Sequence, residues 1–470
     1  MKTNVKASIM ASTPRDLSSF EKLQRTCCTA LLGEDTFYED GESIKDRVSS
    51  YMNDITSEQA NEALRIAKED NKLRHMPLFL IKDMLKKGWV DADTISKVCT
   101  RPDDITEILA MYWQDPDNKH CLPKKLVKGL QKSFNSFDHY QLSKYLAKNK
   151  VVKLKDALRI VRPDPNKSKN PNQSSVYKEI IDETLRMSED TWEVAISACG
   201  KDTAKKKEEW TRLLTEKTEK GFTKLGALAL LRNLRNMDEC GVNHNVIKDA
   251  LRNASMKKIL PFQIIGAANH APSDLKGVLQ EKLLESINGY YDKLEGDTLF
   301  LLDISSSMGS TLSGKSELTR LSAGAGVAAI LNGICESSVL YAFNTKLIPL
   351  SSAYTGLAMV NEIQRIAGGG TYLVDCTNDA IKAYQKTHGG EFPSRVVVIT
   401  DEQDNSYSWN SYYNTNVPLM NLPKSCKGYV VNVGTYENGV NYNDKSWTRI
   451  SGWSEGIVKY ISEYEKLGTR

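Results

Sequence analysis

The chain has 470 residues, of which 40% are hydrophobic and 26% are charged. At roughly 100 to 200 residues per domain this length predicts several domains, and the apolar content excludes a fibrous or wholly disordered protein. Lys and Arg number 63 against 59 Asp and Glu, so the net charge is only +4. Residues 296–470 carry 14 basic and 16 acidic side chains. The positive excess therefore lies in residues 1–295.

The cysteines and apolar runs indicate the compartment in which the protein works. Nine cysteines form an odd set without a Cys-x-x-Cys pair or a histidine at zinc spacing, which is typical of free thiols in a reducing compartment. Residues 1–20 contain no apolar run of signal-peptide length, and no later segment is long and apolar enough to cross a bilayer. We expect a soluble, cytoplasmic protein that has no membrane partner.

Apolar residues recur at helical spacing from about residue 18 to residue 291. Helix starts are predicted with Ser57 as an N-cap and near Pro123, where the missing N–H of proline costs little. Residues 162–175 (RPDPNKSKNPNQSS) are polar and predict a long surface loop between helices. No repeat consensus is recognisable, so the pattern favours an irregular stack of antiparallel helices of the solenoid type.

The pattern changes after Gly296, where short apolar runs alternate with segments of helical length. Two such helices are predicted at residues 318–334 and 373–386. Alternating strands and helices predict a mostly parallel sheet with both faces covered, in which ligands bind at the carboxyl ends of the strands. The predicted strands are Thr298 to Leu302, Val339 to Phe343, Val396 to Thr400 and Tyr429 to Val433.

Oxygen-bearing side chains stand at these strand ends. Asp303, Ser305 and Ser307 form an Asp-x-Ser-x-Ser sequence after the first strand, Thr371 follows three glycines, and Asp401 ends the strand from Val396. Carboxylates and hydroxyls suit a hard cation such as Mg²⁺ or Mn²⁺. With only two carboxylates, the ion would keep a position for an acidic partner, as an adhesion site does. A hydrolytic centre would need more carboxylates or histidines and a general base.

Two other interpretations use the same residues. In the first, Ser305 and Ser307 only turn the chain and Asp401 caps a helix, although the presence of all three parts in order favours the metal site. In the second, residues 309–316 (GSTLSGKS) match the phosphate-binding pattern G-x-x-x-x-G-K-[ST], which would make Lys315 part of an ATPase site. That loop should begin where its strand ends, whereas residues 303–308 intervene here, so the context disfavours the ATPase.

The strongest electrostatic signal lies in residues 118–178, which hold fifteen Lys or Arg and three acidic residues. Side chains four residues apart share a helix face, and like charges at this spacing repel, so a polyanion would stabilise the rows. Nucleic acid is the favoured polyanion, because ordinary solvated faces mix both signs. Phe137, Tyr140 and Tyr145 lie among the lysines and either stack on bases or, as we favour, belong to the core. The candidate RNA contacts are Lys124, Lys128, Lys132, Lys144, Lys148, Lys155, Arg159 and Arg162.

The order of these segments resembles the Ro ribonucleoprotein family, whose members join a ring of helical repeats, the TROVE module, to a von Willebrand factor A domain. The resemblance spans most of the chain. Its clearest parts are residues 228–237 (LALLRNLRNM), Leu260-Pro261-Phe262, residues 303–308, residues 368–371 and Thr400-Asp401.

The resemblance implies an α plus α/β protein with a ring-like, HEAT-like TROVE module at residues 1–295 and a doubly wound von Willebrand A domain at residues 296–470. It implies binding of small structured noncoding RNAs of the Y RNA type on the basic ring surface, and of single-stranded ends of misfolded RNAs in the hole. It also assigns Asp303, Ser305, Ser307, Thr371 and Asp401 to a metal-ion-dependent adhesion site.

Together these observations predict an RNA-binding protein rather than an enzyme, a monomer rather than an oligomer, and a site for Mg²⁺ or Mn²⁺ that an acidic protein partner completes. The alternatives are a metal-dependent adhesion module in which the helices are only a scaffold, and the ATPase built on Lys315.

Overall fold

The structure is a computed structural model that describes residues 18–29, 41–70, 72–115, 118, 121–146, 151–187, 191–217, 223–257, 259–311, 318–401, 419–433, 446–451 and 455–467. No helix within these ranges is long and apolar enough to cross a membrane.

Up to Tyr290, the regular elements of the described residues are helices, apart from one isolated bridge between Lys217 and Thr223. The α-helices are α1 (Ser19–Thr29), α2 (Gly41–Asn53), α3 (Ser57–Arg65), α4 (His75–Lys87), α5 (Ala92–Val98), α6 (Pro102–Gln114), α7 (Lys124–Ser136), α8 (His139–Lys144), α9 (Leu154–Val161), α10 (Gln173–Ile181), α11 (Trp192–Ala198), α12 (Thr203–Thr215), α13 (Ala227–Arg232), α14 (Leu234–Glu239), α15 (His244–Asn253), α16 (Pro261–His270) and α17 (Lys276–Tyr290).

Local signals fix several of these boundaries. Helix α3 is capped by Thr56 and not by Ser57, because the Thr56 hydroxyl accepts the Gln59 N–H and the Gln59 side chain accepts the Thr56 N–H. The predicted N-cap is thus wrong by one residue. Pro123 immediately precedes α7, as predicted. Helix α7 packs very closely on α5, since a Cβ at Gly129 would lie 2.6 Å from the Ile95 Cβ.

The alternating part begins at Leu294. Its elements are β1 (Leu294–Asp303), α18 (Arg320–Ile334), β2 (Cys335–Phe343), β3 (Leu347–Leu350), α19 (Gly356–Ile366), α20 (Leu373–Thr387), β4 (Arg395–Thr400), β5 (Lys427–Asn432), β6 (Trp447–Ser451) and α21 (Glu455–Leu467). The sheet order is β3-β2-β1-β4-β5-β6, with β3 antiparallel to β2 and the other pairs parallel.

Both faces of the sheet are covered by helices. Leu299 and Leu301 of β1 pack in one core cluster with α20, whereas Phe300 and Leu302 point into another that includes α18 and α21. Successive side chains of β1 thus point to opposite faces of the sheet, and both faces are apolar, as expected for a sheet between two layers of helices. The α plus α/β class that the sequence predicts is confirmed.

The hydrophobic core does not stop where the strands begin. One buried cluster runs from Trp210 of α12 through α13–α17 into the sheet, and a separate cluster holds the helices from Leu23 to Leu185. A further contact joins the two ends of the described chain, since α1 packs against α21. The first described helix, α1, therefore contacts the last helix, α21, and the helices α12–α17 share one hydrophobic core with the sheet.

Candidate metal site and nucleic-acid interface

Strands β1 and β4 are neighbours at the centre of the sheet. The chain continues from β1 to β2 on one side of this pair and from β4 to β5 on the other side. The crevice at the carboxyl ends of two such strands is where ligands bind in open α/β sheets. Asp303 is the last residue of β1, and Asp401 directly follows β4. Both side chains are fully buried. The two carboxylates predicted from the sequence thus meet at this switch point.

The Asp303 carboxylate is held by two neighbours. Its Oδ1 accepts the backbone N–H of Ser305 at 2.8 Å, and its Oδ2 accepts the hydroxyl of Thr400 at 2.7 Å. Burial raises the pKa of Asp303 to about 7, although the hydrogen bonds from Ser305 and Thr400 act to lower it and the charge of Asp401 adds a smaller rise. When no divalent cation is bound, this carboxyl binds a proton near neutral pH.

Two loops that carry the predicted hydroxyls are joined by their backbones. The Ser306 N–H donates to Gly369 O at 2.9 Å, and the Gly368 N–H donates to Ile304 O at 2.7 Å. Gly369 has a φ of 95°, a left-handed conformation that favours glycine and lets this loop come so close. The joined loops bring Thr371, which is 2% exposed, to the same edge of the sheet as the Asp-x-Ser-x-Ser turn.

The serine hydroxyls of that turn also lie together, with 3.1 Å between Ser305 Oγ and Ser307 Oγ. The donor set is therefore entirely oxygen, with two carboxylates and three hydroxyls, and its chemistry fits a hard divalent cation. Within the described ranges, no group of three or more His, Cys, Asp or Glu side chains could hold a metal. A cation at this edge would depend on the hydroxyls as much as on the acids.

A positively charged side chain that the sequence analysis missed also reaches this site. Arg320, the first residue of α18, is buried, and its Nη1 donates to Asp401 Oδ2 at 3.1 Å and to Ser307 O at 3.5 Å. One of the two carboxylates is therefore already paired with a cation of the chain itself. No local sequence signal marks this arginine, because only the return of α18 to the sheet brings it to Asp401.

The geometry around the ATPase motif differs from a phosphate-binding loop. Thr311 and Thr319 form an antiparallel bridge, and α18 begins only at Arg320. A phosphate-binding loop would lead directly from its Lys-Ser pair into the helix. Lys315 itself lies outside the described residues.

The basic helical stretch forms an exposed surface on α7 and α9. Lys124 and Lys128 of α7 and Arg159 and Arg162 at the end of α9 are exposed, and none of them forms an ion pair within the described part of the chain. The middle of α7 is joined to the end of α9 by Gln131, whose Nε2 donates to Val161 O at 2.9 Å and to Arg162 O at 3.3 Å. We call these four cationic residues the basic surface.

Three other candidate contacts are paired with acids from elsewhere in the fold. Lys132 lies 2.5 Å from Asp93, Lys144 lies 2.7 Å from Glu193, and Lys155 lies 2.7 Å from Glu183. Hydrogen bonds to Glu193 and the Tyr140 hydroxyl raise the pKa of Lys144, although burial is the largest single influence and acts to lower it. Lys148 lies outside the described residues.

The aromatic residues among these lysines divide between core and surface. Phe137 is 2% exposed and belongs to the core, as favoured from the sequence. Tyr140 is 38% exposed beside Lys144, so the core prediction is wrong for this residue. The ring of Tyr145 lies under Arg101. Of the three, Tyr140 is the ring best placed to stack on a base.

The loop after α9 is shorter than predicted, since α10 begins at Gln173, and it is held against the end of α7. The Ser168 hydroxyl donates to Asn135 O at 2.8 Å, and the Asn170 side chain donates to Phe137 O at 2.9 Å. The Tyr177 hydroxyl adds a bond of 2.9 Å to the Asn135 side chain. The exposed lysines of this loop, Lys167 and Lys169, therefore lie next to α7.

Comparison with solved structures identifies the architecture. The crystal structure of the Deinococcus radiodurans Ro (RSR) protein matches over 95% of this chain and 99% of that one, with a TM-score of 0.61 and 16% sequence identity. This chain has the Ro fold. The resemblance found in the sequence is thus confirmed at the level of the fold, helices and sheet layer together. No protein-family model matches the Ro-like chain, and no curated protein does.

Proposed function

We propose that this protein binds RNA through the basic surface. The observation that carries the proposal is the set of four exposed cations without carboxylate partners in the described structure, on two helices that Gln131 joins. Phosphates would contact Lys124, Lys128, Arg159 and Arg162. Such contacts set affinity and orientation and carry little sequence information.

The three paired lysines would contribute unequally to RNA binding, because their ion pairs differ in exposure. The pair of Lys132 and Asp93 is exposed on both sides, with side chains 51% and 69% accessible, and exposed pairs are worth about 1 kcal/mol at most. A phosphate would therefore displace Asp93 easily. Lys144 and Lys155 are less exposed, so they would serve first to hold Glu193 and Glu183 and would contribute less to RNA binding.

The RNA class we propose is a small structured noncoding RNA of the Y RNA type, bound by a HEAT-like TROVE ring. Two features support a ring, namely the contact of α1 with α21 and the core shared by α12–α17 and the sheet. A closed ring would also admit single-stranded ends of misfolded RNAs. The Ro fold, which matches over 95% of this chain, supports this proposal.

The sheet layer would act as a von Willebrand A domain with a metal-ion-dependent adhesion site. Asp303, Ser305, Ser307, Thr371 and Asp401 would hold Mg²⁺ or Mn²⁺. The bound cation would supply a Lewis-acidic position for a carboxylate of an acidic protein partner. The chain's own residues would orient the hydroxyls, through the joined loops at Ser306 and Gly369, and would keep water from Asp303 by burial.

The test is to isolate the protein from its native host under low salt and to sequence the nucleic acid that accompanies it, with and without EDTA. We expect a defined small RNA that stays bound in EDTA. A protein without RNA, which instead retains another protein only while divalent metal is present, would show that the adhesion module is the main function. ATP turnover that Lys315→Ala abolishes would support the ATPase.

A further inference from the structure

A cavity of about 350 Å³ lies between the α13–α14 segment and α16, and its lining includes no residue of the two sites described above. Its lining comes from residues 228–237, which carry part of the family resemblance, and from α16. Neither the metal site nor the basic surface uses these residues. These residues therefore line one cavity to which the proposed function assigns no role.

The cavity is opened by a break between two helices. Helix α13 ends at Arg232, α14 starts at Leu234, and the residue between them, Asn233, has φ −109° and ψ 10°. The Asn233 side chain donates to Ala229 O at 2.8 Å and accepts the Asn236 amide at 2.9 Å. Because Asn233 is only 8% exposed, these bonds hold the break in place. The break turns Arg232 and Arg235 toward the lining of one cavity.

The opposite wall is formed by small residues of a firmly packed helix. Gly266 and Ala267 of α16 line the cavity, and a Cβ added at Gly266 would meet no atom within 4 Å. The other side of α16 is fixed against the sheet layer, since a Cβ at Gly326 of α18 would lie 2.6 Å from the Phe262 ring. Helix α16 therefore cannot move inward to fill the space.

Every charged side chain in the lining is basic. Arg232 and Arg235 lie at the cavity with Asn236 and Gln263, and the lining includes no carboxylate. Arg232 forms no ion pair among the residues that the structure describes. Arg235 lies 3.7 Å from Glu239, and both of these side chains are about two-thirds exposed, so this pair is weak. The cavity thus combines the Arg232 guanidinium, the weakly paired Arg235 and the His270 ring with an apolar wall. Its two amides each make one bond within the fold, from Asn236 to Asn233 and from the Leu260 N–H to Gln263.

We propose that this cavity binds one unpaired nucleotide of an RNA strand. The two guanidinium groups would bind its phosphate, since arginine forks match phosphate geometry. The base would lie against Leu228 and Ala267. Its polar edge would meet the Asn236 Oδ1 and the Gln263 Nε2, since the other amide atoms are bonded to Asn233 and Leu260. The volume is at the low end of the roughly 300–1,000 Å³ range of ligand pockets, so it holds one nucleotide and excludes a duplex. The proposal rests on the proposed RNA-binding function and adds a subsite to it.

The test uses two RNAs and two kinds of variant of the full chain. One RNA is a blunt hairpin, and the other is a fluorescent single-stranded 10-mer. Gly266→Leu fills the cavity without changing charge, and Arg232→Gln with Arg235→Gln removes its guanidinium groups. The matched controls are Gly277→Leu, an exposed helical glycine that also has open space, and Arg252→Gln on α15.

Because one stacked base contributes about 1–3 kcal/mol, we expect Gly266→Leu to weaken binding of the single strand roughly 5-fold to 100-fold. Binding of the hairpin should change less than twofold, and the controls should leave both RNAs unaffected. Unchanged single-strand binding, or an equal loss for both RNAs, would overturn the subsite. If the wild-type chain binds neither RNA, the proposed function itself fails. Competition by a free mononucleotide at micromolar concentration would assign the cavity to a small ligand and overturn the strand subsite.

Discussion

The guanidinium of Arg320 lies 3.1 Å from the Asp401 carboxylate, and both side chains are buried at the switch point of the sheet. This pair places a fixed positive charge beside the oxygen ligands proposed for a divalent cation. Two like charges a few ångströms apart repel strongly where water is excluded. A divalent cation at this site must therefore either displace Arg320 from Asp401 or bind with lower affinity.

We expect Arg320→Gln to raise the affinity for Mn²⁺ about tenfold or more, because the substitution removes the guanidinium that repels the cation and competes with it for Asp401. In EDTA the same variant should lose about 3 kcal/mol of unfolding free energy, since a buried carboxylate loses its charged partner. Calorimetric titration with Mn²⁺ and urea unfolding would measure both effects. Arg365→Gln, at an exposed pair with Glu362, is the control. Unchanged Mn²⁺ affinity would show that the pair does not oppose a cation.

The raised pKa of Asp303, about 7, predicts a pH dependence of stability. Between about pH 4, the ordinary carboxyl pKa, and pH 7, Asp303 holds a proton in the folded state and has lost it in the unfolded state. The contribution of this proton to stability is therefore complete below about pH 4 and is lost as the pH rises through 7. Urea unfolding in EDTA from pH 5 to 8 should show this decline, and Asp303→Asn should reduce it. A variant slope equal to that of the wild type would contradict the assignment.

A proton at Asp303 should also compete with a bound cation. Mn²⁺ affinity of the wild-type protein is expected to fall as pH is lowered from 8 to 6, because the cation needs the ionised carboxylate. The measurement is the same titration at several pH values in one buffer series. Constant affinity over this range would place the cation away from Asp303.

The pair of Lys132 and Asp93 allows a test in which RNA binding should improve. Asp93→Asn removes the acid 2.5 Å from Lys132 and frees the lysine for phosphate, so we expect RNA affinity to rise about twofold to threefold at low salt. Fluorescence anisotropy with a labelled structured RNA would detect this gain. Asp379→Asn, which acts on the exposed Lys382 of α20, should have no effect. A gain of the same size in that control would indicate a general effect of charge.

The attachment of α21 depends on a buried pair at the start of β4. Arg395 donates to both carboxylate oxygens of Glu465, at 2.9 and 2.7 Å, and the Tyr429 hydroxyl adds a third bond at 3.0 Å. We expect Glu465→Gln to cost about 3 kcal/mol of unfolding free energy, because Arg395 would remain buried without its charged partner. Chemical denaturation would measure the loss, with Glu362→Gln at an exposed pair as the control. A loss below 1 kcal/mol would mean that α21 is held mainly by apolar packing.

The sequence was most informative where a pattern depends on local physics. The apolar runs from Thr298 and from Val396 predicted β1 and β4 because strands buried on both faces are continuously hydrophobic. The edge strand β3 was missed, since only four half-exposed or exposed residues form it and an antiparallel edge needs no such run. The carboxylates of the candidate metal site were predicted because each one stands at the carboxyl end of an apolar run, Asp303 as the last residue of β1 and Asp401 directly after β4.

Long-range pairing was beyond the reach of the sequence. Nothing near Arg320 predicts that it meets Asp401, 81 residues later, and nothing near Lys144 predicts its pair with Glu193. The core that runs from α12 into the sheet was also not visible, because helical periodicity shows that a face is buried but not which element covers it. The charge excess of residues 118–178 was real, yet the number of unpaired cations in it depended on acids from other helices.

The most direct test of RNA binding by the basic surface is the salt dependence of affinity for one structured RNA. We would compare the wild type, a variant with Lys124, Lys128 and Arg159 changed to Gln, and a control with Lys382, Lys386 and Lys424 changed to Gln. Each lost phosphate contact should flatten the slope of log affinity against log salt by about 0.7 to 0.9. We predict that the first variant binds at least tenfold more weakly at low salt, with a slope reduced by about 2, while the control matches the wild type. Equal behaviour of the two variants would contradict the assignment of RNA binding to this surface.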